Sequence, residues 1–131
     1  MRVLLDTHTF LWFIGGDARL SGYARSLITD PATTRLLSVA SLWAMSIKVR
    51  LGRLRLGFAF PELVERQVRG NGIDLLPIRP AHLDEVARLP LHHRDPFDRL
   101  VIAQAVVEGM PVVSRDGEFG PYPATVLWDE P

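Results

Sequence analysis

Cysteine is absent from all 131 residues. Without a thiolate there is no sulfur-ligated zinc site, no iron–sulfur cluster, no cysteine nucleophile and no disulfide framework, and the composition fits a reducing compartment. Long apolar runs are missing as well. The longest, around residues 10–14 and 101–107, fall far short of the ~20 residues that cross a bilayer, so no membrane span is expected. The chain starts Met1-Arg2-Val3-Leu4-Leu5-Asp6, with an acid where a secretory signal would still be hydrophobic, and a cytoplasmic protein is the expectation. An excess of one charge is also lacking, since 15 basic residues balance 15 acidic ones. A chain this neutral exerts no global pull on nucleic acid, and such a partner has to be gripped by a local patch.

What is present is an ordinary globular balance, 47% hydrophobic and 23% charged, over a length that suits one domain spanning 1–131. At this size folding removes roughly two-thirds of the unfolded surface from water, enough for a core without staples. Val3-Leu4-Leu5 is a short continuous apolar run, the mark of a strand buried on both faces. Residues 7–14 follow as a helix stopped by Gly15-Gly16, and 20–28 has helical spacing ended before Pro31. Residues 35–39 read as a second strand, and Ser41 is a candidate cap for a helix running to Leu51. Pro61, apolar Leu63, Val64 and Val68, and the pairs Glu62/Arg66 and Glu65/Arg69 predict a further helix. Residues 73–78 form a strand that contains Pro77, which suits an edge.

Residues 80–89 predict another helix and 100–107 a buried one ended by Gly109, with strands at 111–114 and 124–128. Strands alternating with helices imply parallel pairing, hence an α/β fold built on an open, mostly parallel sheet of four or five strands with helices on both faces. In such sheets ligands bind beyond the carboxyl ends of the strands.

Two acids are expected there, Asp6 after the first strand and Asp116 after the strand at 112–113. Asp98, in Asp95-Pro96-Phe97-Asp98, opens the buried helix leading into the Asp116 strand. Read singly, each acid has a simpler role. Asp95 suits an N-cap with Pro96 at the first helical position, and Asp98 would be favoured near a helix N-terminus in any case. Asp6 can cap the helix that follows it, and Asp116 can serve the turn before Gly117. Read together, Asp6, Asp98 and Asp116 gather like charges that raise each other's pKa unless a cation neutralises them. Oxygen donors without sulfur suit Mg²⁺ or Mn²⁺.

His8, His82, His92 and His93 lack the helical pairing with an acid that marks a zinc site, and a surface or loop role is the simpler reading for each. No dinucleotide fingerprint, Walker A sequence or serine nucleophile elbow is present. Lys48, Arg50, Arg53 and Arg55 cluster after the third helix, and Arg94, Arg99 and Arg115 lie beside the acids in sequence. They are read either as a solvated face or as a phosphate-binding rim. An acidic centre ringed by cations suits a phosphodiester.

Four segments together carry a family resemblance. They are Leu5-Asp6-Thr7-His8-Thr9-Phe10-Leu11-Trp12; Ser38 through Lys48 with Leu51-Gly52-Arg53-Leu54; His93-Arg94-Asp95-Pro96-Phe97-Asp98-Arg99-Leu100 with Ile102-Ala103-Gln104-Ala105; and Ser114-Arg115-Asp116. In this order and spacing the chain resembles the PIN-domain family, most of all the VapC toxins of bacterial toxin–antitoxin pairs. The resemblance implies a three-layer PIN-like fold and a metal-dependent endoribonuclease with acids at Asp6, Asp98 and Asp116. It also implies a homodimer held inactive by a small VapB-type antitoxin, and RNA products ending in 5′-phosphate and 3′-hydroxyl. Lys48, Arg50, Arg94, Arg99 and Arg115 would contact RNA, and Thr7 and Ser114 would orient water or simply pack.

One departure stands out. The family pattern has a Glu in the third helix, and here that position is Ala44, with Lys48 four residues on as one half of an i,i+4 pair. A weakened or inactive copy, serving as a non-catalytic module that still binds antitoxin or RNA, is therefore an alternative. A phosphoreceiver domain also joins an α/β sheet to an acidic cluster, but no Lys closes the last strand.

Overall fold

Leu4 and Leu5 stand in register with Leu36 and Leu37 on one side and with Val112 and Val113 on the other. The segment that holds them is therefore the middle of the sheet. The computed structural model describes residues 1–91 and 95–130. In it β1 (Arg2–Leu5) pairs with β2 (Thr34–Ser38) and β4 (Val112–Val113), β3 (Ile73–Leu76) lies beyond β2, and β5 (Val126–Leu127) lies beyond β4. Every pairing is parallel and the order is β3-β2-β1-β4-β5. The expected open α/β sheet is observed, with five strands. Its order reverses between β1 and β4, which makes their carboxyl ends the switch point.

Strand alternation divides the interior in two. Val3, Leu5, Leu37, Ile73 and Val113 pack with Phe10, Ala24, Ile28 and Met45, whereas Leu4, Leu36, Leu76 and Val112 pack with Leu89, Val101, Ile102 and Phe119. The first set comes from α1 (Thr7–Ile14), α2 (Gly22–Thr29) and α3 (Val39–Arg50). The second comes largely from α6 (Pro96–Glu108) and the segment after α5 (Pro80–Arg88). Apolar residues at consecutive strand positions are thus needed on both faces, as the unbroken run in β1 implies.

The boundaries show which local forces win. Ser38, not Ser41, caps α3: its Oγ accepts from Ala40 N–H at 3.0 Å, and the helix begins at Val39, where the sequence reading still has strand. Ser41 is buried one turn inside, and its Oγ accepts from the Thr7 hydroxyl at 3.0 Å. The helix expected after Pro61 winds in three ways, α4 (Phe60–Glu62), a π-helical stretch (Leu63–Val68) and a 3-10 turn (Arg69–Asn71). Leu63 and Val68 are both fully buried. Five residues apart, they would diverge by about 140° on an α-helix, and the wider winding brings both to the core. β3 ends before Pro77 and lies at an edge, where the missing N–H breaks no ladder.

The helix at 7–14, apolar on paper, is less exposed than its composition implies. Phe10 is buried, Leu11, Trp12, Phe13 and Ile14 are half-buried against the core, and His8 faces outward. On the opposite side of the sheet, buried His82 of α5 joins α6. Arg79 N–H donates to its Nδ1 at 3.0 Å, so the other ring nitrogen, 3.0 Å from Glu108 Oε2, is the donor. That hydrogen bond, with help from Arg2, holds the Glu108 carboxyl below the usual range.

Candidate active site

Asp6 leaves β1 in extended conformation and caps α1, its Oδ1 accepting from Thr9 N–H at 2.7 Å. Its Oδ2 accepts from the Ser114 hydroxyl at 2.5 Å, and Ser114 Oγ in turn accepts from Asp116 N–H at 3.0 Å. One serine therefore links the acid of β1 to the turn after β4. Thr9 tightens the same seam by donating its hydroxyl to Val113 O at 2.8 Å. The hydroxyl hydrogens of Thr7 and Ser114, read from sequence as water-orienting or packing, are both committed to protein oxygens.

Asp6 and Asp116 line one hollow of about 370 Å³ together with His8, Trp12 and Arg115. Asp98 lies in a smaller one of about 180 Å³, with Thr7, His8, Ala44, Lys48 and Arg53. His8 borders both. Asp95 plays the capping role expected of it, accepting from Phe97 N–H at 2.9 Å and Asp98 N–H at 3.2 Å, which puts Asp98 in the first turn of α6. Among the described residues no three acidic or imidazole side chains draw close enough to hold one ion between them. The sequence expectation of a single three-acid crevice thus resolves into a pair of acids and a third in the adjoining hollow.

The donor set still fits a hard divalent cation. Asp6 is only 5% exposed, and among the described residues no basic side chain lies within ion-pair distance of it. A buried carboxylate satisfied by one N–H and one O–H retains lone pairs and an uncompensated charge, the condition that a cation relieves. Mg²⁺ is commonly held by one or two carboxylates plus waters, and Asp6 and Asp116 are two carboxylates on one hollow.

The basic candidates separate. Lys48 and Arg53 line the Asp98 hollow, and Arg115 lines the Asp6–Asp116 hollow. Arg50 is exposed at the end of α3, outside both linings. Arg94, with His92 and His93, lies outside the described residues. Arg99 is a correction. It is 8% exposed and turned inward, with its guanidinium donating to Pro90 O at 2.7 Å, Val86 O at 2.9 Å and Leu89 O at 3.3 Å. These carbonyls lie at and just beyond the end of α5, where Val86 O also accepts from Leu89 N–H at 3.3 Å, and a cation there favours the helix dipole. Arg99 is a structural clasp and not part of a rim.

The sequence reading passed over the aromatic side of the site. His8 and Trp12 lie one turn apart on α1 with ring centres 5.8 Å apart. Asp17 and Arg19 flank them in a two-point hydrogen bond that pulls the Asp17 carboxyl down to about 2. The i,i+4 spacing of two rings just after Asp6 was the available signal.

A family model for the PIN domain matches residues 3–123. No curated protein matches the sequence closely enough to count as a relative. Among solved structures the chain is similar to VapBC2 from Rickettsia felis bound to a DNA fragment from their promoter, with a TM-score of 0.72 at 15% identity over 98% of this chain and 100% of that one. It is similar also to FitAB bound to an IR36 DNA fragment, with a TM-score of 0.68 at 23% identity over 95% and 93%. FitAcB from Neisseria gonorrhoeae gives a TM-score of 0.62 at 18% identity over 95% and 96%. At these identities the likeness is one of fold.

Proposed function

Because the chain belongs to the PIN-domain family, we propose that it is a VapC-like endoribonuclease that uses Mg²⁺ or Mn²⁺ and is neutralised by a small VapB-type antitoxin. The observation that carries this reading is Asp6, a buried carboxylate without a basic partner among the described residues, beside Asp116 at the switch point of the sheet. Asp6, Asp116 and, from the adjoining hollow, Asp98 are the residues that would hold the ion. When bound, such an ion supplies Lewis-acid polarisation of a phosphate oxygen and acidifies water. The protein's own part is positional. Thr9 N–H and the Ser114 hydroxyl fix the orientation of the Asp6 carboxylate. Lys48, Arg53 and Arg115 offer cations to the phosphates on either side. In the hydrolysis, oxygen from water bonds to phosphorus, the bond to the 3′-oxygen breaks, and that oxygen takes a proton, which leaves 5′-phosphate and 3′-hydroxyl ends.

Ala44 supports a second reading, a binding module with little catalysis. It lines the Asp98 hollow where the family pattern carries a Glu, so the site has one carboxylate fewer. Incubating RNA with the purified protein and Mn²⁺ separates the two readings. The nuclease reading expects slow cleavage that chelation and Asp6→Asn both abolish. RNA left intact by both the parent and Ala44→Glu overturns it in favour of the module.

Homodimerisation belongs to the same proposal. Trp43 of α3 is 57% exposed, and Val39, Ile47 and Leu83 are exposed near it. Trp43 meets Phe97 edge-on at 5.0 Å beside an apolar groove of about 230 Å³ that also takes in Leu83 and Val86. An exposed apolar strip of this kind suits burial against a second copy.

A further inference from the structure

His8 borders three hollows. One holds Asp6 and Asp116, one holds Asp98 and Lys48, and a third, of about 440 Å³, is lined by Trp12 and Arg19 among others. A polymer whose reacting phosphate lies among the carboxylates has this exposed imidazole at the edge of its site. The ring is not alone. Trp12 lies beside it with the two planes 33° apart, and Trp12 is itself held by the edge of Trp128 at 5.9 Å. The Arg19 guanidinium stands 5.1 Å from the Trp12 ring centre and is locked to Asp17 by hydrogen bonds of 3.1 and 2.7 Å. Arg115 stands 6.0 Å from the same centre and lines the acidic hollow, with no ion pair among the described residues.

An aromatic pair, an outward-facing ring, a cation free of carboxylates among these residues and an acidic site that could hold a phosphate-binding cation make a specific combination. Single-stranded nucleic acids are held by stacking of splayed bases on such rings, including His, with cations on the backbone. A docked protein helix would call for an apolar surface, such as Leu11, Ile14, Leu54, Leu56 and Phe58 give the third hollow, whereas the rim next to the acids is an imidazole and a guanidinium.

We propose that His8, backed by Trp12, is the stacking platform for the nucleobase adjoining the reacting phosphate of single-stranded RNA, with Arg115 on that nucleotide's phosphate. The inference rests on the ribonuclease reading and adds to it the residues that would hold the nucleotide.

The test is the affinity of a fluorescently labelled single-stranded hexaribonucleotide, measured by anisotropy in an Asp98→Asn background so that the strand is not consumed. His8→Ala is expected to weaken binding roughly 5- to 140-fold, the range of one base–aromatic stack. His8→Phe, which keeps a ring and loses the nitrogens, is expected to restore most of it. A strand of the same length without bases should bind weakly and equally to the parent and to His8→Ala. Equal affinity of parent and His8→Ala for the intact strand overturns the platform alone, as does an equal loss on the baseless strand. If the parent binds no RNA, the platform and the ribonuclease reading fall together.

Discussion

Ala44 and Lys48, one turn apart on α3, line the same 180 Å³ hollow as Asp98. Ala44 is 8% exposed, so a longer side chain there would project into that hollow and not into solvent. Ala44→Glu is expected to raise Mn²⁺ affinity and RNA cleavage together. At an effective dielectric of ~20, unit charges ~4 Å apart attract by ~4 kcal/mol, and a contact through water delivers part of that. Even ~1.4 kcal/mol is tenfold. Ala44→Gln matches the shape without the charge. Cleavage by Ala44→Glu no faster than by the parent would remove the missing-carboxylate account.

Asp6→Asn separates the fold from the chemistry. Asn caps a helix about as well as Asp but cannot also accept from the Ser114 hydroxyl, so the protein should stay folded with a stability loss of about 1–3 kcal/mol, the cost of one buried hydrogen bond. Calorimetric titration should show Mn²⁺ binding strongly weakened, because a neutral amide replaces the buried carboxylate. Unchanged affinity would take Asp6 out of the metal site.

Arg99 and Arg115 should behave as opposites. Arg99→Ala removes the guanidinium donors from Leu89 O and Pro90 O and leaves Val86 O only the Leu89 N–H, and should lower stability by about 2–4 kcal/mol in urea unfolding. Arg115→Ala should leave stability within about 0.5 kcal/mol, since the side chain is exposed, and should make RNA binding weaker and less salt-dependent. A stable Arg99→Ala protein with weakened RNA binding would reverse the assignment.

Trp43→Glu is expected to convert dimer to monomer in sedimentation at roughly tens of micromolar, because a charge placed on the exposed apolar strip has to be desolvated on association. A parent that sediments only as monomer at that concentration would refute the dimer.

Glu108→Ala leaves the buried Nε2–H of His82 without its acceptor and should cost about 1–3 kcal/mol near neutral pH. Because folding lowers the Glu108 pKa from near 4.5, the contribution of its charge is fully present above that range. It is lost as pH falls through the lowered value. Urea midpoints of parent and variant should therefore converge in acid, and a gap independent of pH would show that the carboxylate charge plays no part.

The parallel sheet was legible because each strand is a short apolar run followed by a polar residue that starts a turn or helix, and Asp6 and Asp116 could be placed at one edge on that ground alone. What could not be read was direction within an element. Arg99 lies next to Asp98 in sequence, yet helical geometry turns the two side chains apart, one to the adjoining hollow and the other to the end of α5. Ser38 and Ser41 are equal as capping residues in a string of letters; backbone extension at Ser38 and the Thr7 hydroxyl at Ser41 decide between them. The π winding at Leu63–Val68 depends on core contacts that local propensity does not contain.

The hydroxyl bridge from Ser114 to Asp6 spans 108 positions of the chain. A growing polypeptide carries Asp6 before it acquires Ser114 and Asp116, which follow roughly 5–20 s later at ordinary rates of synthesis. Until then β1 lacks its β4 neighbour, and the carboxylate pair at the switch point does not exist. The order of synthesis therefore leaves Asp6 without its β4 partner until those 108 positions have been made, and the candidate site assembles only after them.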